Sequence, residues 1–134
     1  MIEARWLSSQ DDLSEITKVH EACSIIMPSG DVMFICLFDA KTTKLIGVGS
    51  ARFLEINTRF MIESLCVLPD YRKQGYGDFL LRLLIRRIFD AGFSQYIHVN
   101  EEVSPFFVKR GFTIKSNESG RLLLVREGDV FPCK

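Results

Sequence analysis

The chain has 134 residues, of which 47% are hydrophobic and 25% charged, with 17 Lys plus Arg against 17 Asp plus Glu. That balance suits one folded domain spanning residues 1–134 and argues against disorder and against the basic excess of a nucleic-acid-binding surface. No apolar run reaches the roughly 18 residues a membrane span needs, and the segment from Met1 to Trp6 carries Glu3 and Arg5 rather than a signal-peptide stretch.

The chain order opens with a short strand, Ile2 to Leu7, in which Trp6 is expected in the core. Asp11 and Asp12 then introduce a helix whose apolar positions are Leu13, Ile16, Val19, Ala22 and Cys23. Pro28, Ser29 and Gly30 end it. Val32 to Phe38 is an almost continuous apolar run, as in a buried strand. A polar turn at Asp39 to Lys44 leads into Leu45 to Leu54, with Gly47 and Gly49 inside it. Asn57 and Thr58 make another turn before Phe60 to Leu68. Three strands joined by short turns predict an antiparallel meander.

Pro69 stops the ladder, and a polar loop runs to Gly75-Tyr76-Gly77. The helix expected from Asp78 to Ala91 places Leu80, Leu81, Leu84, Ile85 and Ile88 on one broad stripe, with Arg82, Arg86, Arg87 and Asp90 opposite. Gly92 caps it. Gln95 to Val99 reads as a strand, and Val103 to Arg110 as a short helix with Pro105 in its first turn, where proline is tolerated. Gly111 breaks that helix, Phe112 to Lys115 is a strand, and Arg121 to Arg126 pairs back. The pattern is a mixed α/β layer fold with a largely antiparallel central sheet flanked by helices, not a regular βαβ repeat.

Cys23, Cys36, Cys66 and Cys133 are far apart and form no CxxC pair. They read as reduced thiols, three of them in apolar segments, which points to a cytoplasmic protein with no metal site.

The segment Arg72-Lys73-Gln74-Gly75-Tyr76-Gly77 joins a strand end to the start of a long helix. The first N–H groups of a helix lack internal partners and carry partial positive charge, and glycines let the backbone turn sharply and approach a ligand. Arg72 and Lys73 add charge. Such a loop can bind a pyrophosphate, or it can be an ordinary glycine loop; spacing alone leaves both open. It lacks the Gly-Lys-Ser/Thr of a P-loop, and Leu80 stands where a dinucleotide fingerprint needs its third glycine.

The stretch from Glu63 through Pro69 to Gly77 resembles the cofactor motif of the GNAT superfamily of N-acetyltransferases, Q/R-x-x-G-x-G/A. Asn100-x-x-Val103-x-x-Phe106-Phe107-x-x-x-Gly111-Phe112 is similar to that family's second motif, N-x-x-A-x-x-L-Y-x-x-x-G-F. The separation of the motifs and the order of elements also match, so the resemblance covers nearly the whole chain. The N-terminal region is shorter than in many members, with little room for a second helix.

The resemblance implies a GNAT-like fold and an acetyl-CoA-dependent N-acetyltransferase. Backbone groups of Arg72, Lys73, Gln74, Gly75, Tyr76 and Gly77 would hold the pyrophosphate. The strand backbone at Leu65, Cys66 and Val67 would pair with the pantetheine arm, and an N–H there would polarise the thioester carbonyl. Asn100 would contact the pantetheine arm, or serve as a helix N-cap. Glu63 is the candidate base that draws a proton from the amine, with pairing to Arg52 or Arg59 as the alternative. Phe107 stands where the family usually carries a tyrosine that protonates the departing thiolate. His20, expected exposed, and His98 are weaker catalytic candidates, and Cys66 reads as packing because transfer in the family is direct.

The implied partner is a small-molecule amine, with the acceptor pocket built from the first helix, the loop from Ile26 to Asp31 and the strand ends. No nucleic acid or membrane partner is expected, and a homodimer is left open. The alternative reading is a catalytically weak or inactive acyl-CoA-binding module; a phosphate-binding domain unrelated to coenzyme A is a third.

Overall fold

The computed structural model describes residues 1–55, 59–90 (side chains through residue 88) and 92–127. In chain order the elements are β1 (Ile2–Ser8), α1 (Ser14–Ala22), β2 (Met33–Asp39), β3 (Leu45–Leu54), β4 (Arg59–Val67), α2 (Tyr76–Asp90), β5 (Ser94–Asn100), α3 (Ser104–Val108), β6 (Thr113–Glu118) and β7 (Arg121–Arg126). Among the described residues the strands form one sheet of seven, ordered β1-β2-β3-β4-β5-β7-β6. It is mostly antiparallel, with β4 and β5 as a parallel pair in register from Arg59 opposite Ser94 to Ile62 opposite Ile97.

Two compact units divide the chain. The first comprises Met1–Arg52 and Glu63–Ile85, the second Phe53–Ile62 and the described residues from Arg86 onward.

In the first unit α1 packs Ile16 and Val19 against Phe34 and Cys36 of β2, Val48 of β3 and Cys66 of β4. Leu80, Leu81 and Leu84 of α2 are wholly buried. The two strand glycines let this helix lie close. A Cβ on Gly49 would stand 3.0 Å from Leu84 Cδ1, and one on Gly47 would stand 3.2 Å from both Leu80 Cδ1 and the Cys66 carbonyl oxygen. The bounds of β3 match the expectation because the 39–44 turn is defined by its own chemistry: the Thr43 N–H donates to Asp39 O at 2.7 Å and the Asp39 N–H to Lys44 O at 2.9 Å.

Helix α1 is shorter than expected at both ends. It starts at Ser14, whose N–H donates to Asp12 Oδ1 at 3.0 Å. It stops before Pro28 because Ser24 takes a left-handed conformation (φ 57) and the Ile25 N–H turns back to His20 O at 3.0 Å. His20, expected exposed, is fully buried, and Trp6, expected in the core, is half-buried.

In the second unit β5, β7 and β6 pair antiparallel. Ile97 and Val99 of β5 and Leu122 and Leu124 of β7 share one buried face, and Val125 on the opposite face is also buried, as are Ile88, Phe107 and Phe112. The helix expected over 103–110 is shorter: a 3-10 turn occupies Glu101–Val103, and α3 ends at Val108. Phe112 lies outside the strand expected to contain it, although it is 1% exposed; β6 begins at Thr113 and runs on to Glu118. The turn expected at Asn57 and Thr58, the helix end expected at Ala91, and Cys133 lie outside the described residues.

Candidate functional site

The first unit contains a cavity of about 300 Å³ beside the end of β4. Leu65, Cys66, Val67, Arg72, Lys73, Gly75, Tyr76 and Gly77 line it, together with Cys23, Ile25 and Tyr71. Eight of the residues expected at the cofactor are therefore brought together. Gln74 lies exposed within the same loop.

The loop is shaped by backbone chemistry. Lys73 (φ 64) and Gly75 (φ 87) both take left-handed conformations, a turn that gathers successive N–H groups. The Gly75 carbonyl accepts the first helical bond, from Phe79 N–H at 3.0 Å, so the Tyr76 and Gly77 amides open α2 without helical partners. Arg72 folds back to donate from Nε to Val67 O at 2.8 Å, and Lys44 Nζ lies 5.7 Å from the Tyr71 ring centroid. These contacts fix the loop against the strand end.

Gly77 gives a sharper indication. Its φ is not positive, and a Cβ added there would meet no atom within 4 Å. Neither backbone conformation nor internal packing calls for glycine at this position. A ligand that must approach the backbone closely does.

Glu63 lies in the middle of β4 and is not among the residues that line this cavity. Arg52 grips its carboxylate with both ends of the guanidinium, Nε to Oε2 at 3.0 Å and Nη2 to Oε1 at 3.0 Å. Arg52 Nη2 also donates to the Ser29 carbonyl. The hydrogen bonds that Arg52 donates to Glu63, and then the charges of Glu63 and Asp31, raise the Arg52 pKa against the opposing effect of burial. Of the two partners the sequence allows for Glu63, Arg52 is the one observed. To take a proton, the carboxylate has to give up part of this bidentate pair.

A second cavity of the same unit, about 640 Å³, is lined by Ser9, Gln10, Leu13 and Pro28 through Asp31. It borders the loop from which an acceptor pocket is expected.

Asn100 and Phe107 belong to the second unit. Asn100 is exposed and its side chain makes no capping hydrogen bond to the 3-10 turn that follows. Phe107 is 5% exposed, in edge-to-face contact with Phe106 (centroids 5.1 Å apart) and Phe112 (5.6 Å). His98 is exposed on β5. Cys66 is 1% exposed, and burial pushes its thiol up to about 12, as it does that of Cys36. Such a thiol stays protonated, which suits packing rather than nucleophilic attack.

Two polar residues, Ser64 and Ser50, escaped the sequence reading, and a third, His20, was expected exposed. His20, Ser64 and Ser50 form a buried hydrogen-bonded chain in the first unit. The signal for them is periodicity: His20 lies four residues after Ile16 on α1, Ser64 two before Cys66 on β4, and Ser50 two after Val48 on β3.

The Acetyltransferase (GNAT) family model matches residues 3–112. The chain belongs to the GNAT family of acetyltransferases. GNAT proteins use acetyl-CoA as acyl donor, and the strand–loop–helix cradle of this member is formed by the residues that match the family's cofactor motif. Among curated relatives, the Bacillus subtilis (strain 168) protein named "Putative acetyltransferase BSU40680" is 30% identical over 118 residues, 87% of this chain and 71% of that protein. Among solved structures, the ribosomal-protein-S18-alanine N-acetyltransferase from Escherichia coli has the same fold at a TM-score of 0.81 and 15% identity, over 98% of this chain and 97% of that one. The PaiA N-acetyltransferase from Thermoplasma acidophilum, solved with coenzyme A, gives 0.73 at 17% identity, over 95% and 99%.

Proposed function

We propose that this GNAT member is an N-acetyltransferase that moves the acetyl group of acetyl-CoA directly onto a primary amine of a small molecule. The observation that carries the donor half is Gly77, a glycine that the protein's own conformation and packing do not require, at the mouth of a helix beside a loop of gathered N–H groups. The pyrophosphate would lie against the backbone of residues 72–77. The pantetheine arm would add to β4 at Leu65–Val67, where an amide would meet the developing oxyanion.

Glu63 is the base in this reading. A primary amine with pKa near 10.4 carries a proton at pH 7, and removing it in advance costs about 4–5 kcal/mol. A carboxylate or a water it orients lowers that cost, and Arg52 fixes where the carboxylate stands. A small acceptor is favoured by the second cavity, whose size falls in the range of small-molecule sites and whose lining carries Asp31, a counter-charge for an ammonium group. Buried free thiols at Cys36 and Cys66 suit a cytoplasmic setting, and no helix among the described residues is long and apolar enough to cross a membrane.

One observation favours the second reading, an acyl-CoA-binding module. The position of the usual tyrosine is Phe107, which has no proton to give and is packed among aromatic rings. Release of coenzyme A from acetyl-CoA, measured across a panel of polyamines, amino acids, amino sugars and arylamines, separates the two. Amine-dependent release supports the enzyme. Calorimetric binding of acetyl-CoA with no release for any amine supports the module, and absence of binding overturns both.

A further inference from the structure

We infer that His20 and Ser64 are positioning residues for acetyl transfer, acting through a directional hydrogen-bond chain that fixes β4 between the candidate base and the candidate oxyanion amide. This rests on the transferase reading above and goes beyond it, because that reading gives neither residue a role.

The direction of the chain follows from its acceptors. His20 Nδ1 lies 2.8 Å from the Ile16 carbonyl oxygen, which can only accept, so Nδ1 carries the hydrogen. In the neutral imidazole Nε2 is then the acceptor, and the hydroxyl 2.9 Å from it, Ser64 Oγ, must donate. With its hydrogen committed, Ser64 Oγ accepts from the Ser50 hydroxyl that it also touches. The chain thus runs Ser50 to Ser64 to His20 to Ile16, tying β3, β4 and α1 together. His20 and Ser50 are 0% exposed and Ser64 is 4% exposed, so water does not substitute for a missing member.

The placement gives the chain its consequence. Ser64 is the single residue between Glu63 and Leu65. Glu63 is held from outside by Arg52, and Leu65 lines the donor cavity. The Ser64 side chain is the inward anchor of that three-residue stretch. The far end of the same helix turn supplies Cys23, another cavity residue, whose Sγ donates to Val67 O at 3.4 Å. Losing the anchor lets the strand shift by a fraction of an ångström, and displacements of that order lower rates strongly when reacting groups must be aligned. Affinity for acetyl-CoA, spread over loop and strand backbone, is much less sensitive.

Threonine and valine at position 64 have nearly the same shape and differ in the hydroxyl. With an amine that supports turnover, Ser64→Val is expected to lower kcat about tenfold while KM for acetyl-CoA stays within about twofold, and Ser64→Thr to stay within about twofold of wild type in both. Ser50→Ala, which adds no bulk, is expected to lower kcat about threefold and serves if the valine variant fails to fold. Nitrogen-15 NMR of the ring is expected to show the Nδ1–H tautomer in wild type and a shifted Nε2 resonance in both Ser64→Val and Ser50→Ala. Wild-type kcat in Ser64→Val, or in a folded Ser50→Ala where the former does not fold, overturns the inference, as does an Nε2–H tautomer. A wild type silent with every amine fails the transferase reading instead, and this one falls with it.

Discussion

Replacing Gly77 with alanine should raise stability and weaken acetyl-CoA binding, two effects of opposite sign from one methyl group. Gly77 is the second residue of α2, its φ is not positive, and the added Cβ would meet nothing within 4 Å. Removing glycine from a helical position is then worth about 0.5 kcal/mol. Taking about 2.1 cal/mol/K per residue for the unfolding entropy over 134 residues, this raises Tm by about 2 °C. A methyl group set where a phosphate oxygen should touch the backbone costs about 1.5–3 kcal/mol of overpacking, at least tenfold in Kd. Ligand at about 100 times the wild-type Kd stabilises wild type by about 2.7 kcal/mol, near 10 °C, and a tenfold weaker variant by about 1.4 kcal/mol, near 5 °C. Thermal melts with and without acetyl-CoA read both effects. Gly75→Ala is the control: its φ of 87 makes alanine destabilising before any ligand is added. A Gly77→Ala protein with an undiminished ligand shift would refute the argument that the ligand demands this glycine.

Glu63→Gln can still accept from Arg52, so it should fold normally, bind acetyl-CoA as wild type does, and lose about 10²-fold in rate at pH 7. The loss should shrink at high pH, where free amine is abundant; a pH–rate profile indistinguishable from wild type would remove Glu63 as base. The thiols of Cys36 and Cys66, raised by burial from 9.0 to about 12, bind protons in the folded state that the unfolded chain has released. The sign is therefore negative: the stability these protonated thiols provide is complete below pH 9 and is lost between pH 9 and about 12, at about 1.4 kcal/mol per pH unit for each thiol. Urea unfolding at pH 8, 9 and 10 should show the decline, and Cys36→Ala should halve its slope. Phe107→Tyr puts a hydroxyl into an aromatic cluster; it should raise the rate or leave it unchanged, and a stability loss above about 2 kcal/mol in urea melts would show that the hydroxyl finds no partner.

The parts of the fold that the sequence specifies locally were legible. The β3 bounds follow from turn chemistry on its N-terminal side, and α2 from its leucine stripe, although it begins at Tyr76 rather than Asp78 because Gly75 is the last left-handed residue before it and Gly77 has no positive φ. The α3 region was overextended because Pro105 and Gly111 mark where a helix can start and must stop, not where hydrogen bonding shifts between 3-10 and α. At the site, the cradle from Leu65 to Gly77 was legible because backbone binding leaves a glycine pattern. Cys23 and Ile25 were not, since they reach the cavity only because Ser24 reverses the chain after α1. His20 was misjudged because a polar side chain at a buried helical position looks, in sequence, like the solvated edge of the stripe. Only its partners Ser64 and Ser50, distant in the chain, make burial affordable.

Donor binding and chemistry make different demands on this chain, and that difference explains where it departs from its family. In the proposed reading donor binding would rest on backbone amides of residues 65–77, so many side chains could change while the cavity they line persists. Proton transfer in that reading would rest on side chains, and there Phe107 stands in place of the usual tyrosine while Arg52 pairs with Glu63. The first of these removes an aid, not the reaction. A thiol pKa near 8.5 makes the thiolate a fair leaving group, and general-acid help contributes about 10²–10⁴-fold of a larger acceleration. In the proposed reading, orientation on β4 and an oxyanion contact would supply the remainder. The Arg52 pair would constrain the proposed base without removing it: a carboxylate held in a fork has one position and one direction from which an amine, or a water before it, can reach it. A site of this kind turns over only acceptors that approach along that line, which favours a narrow amine specificity over a broad one.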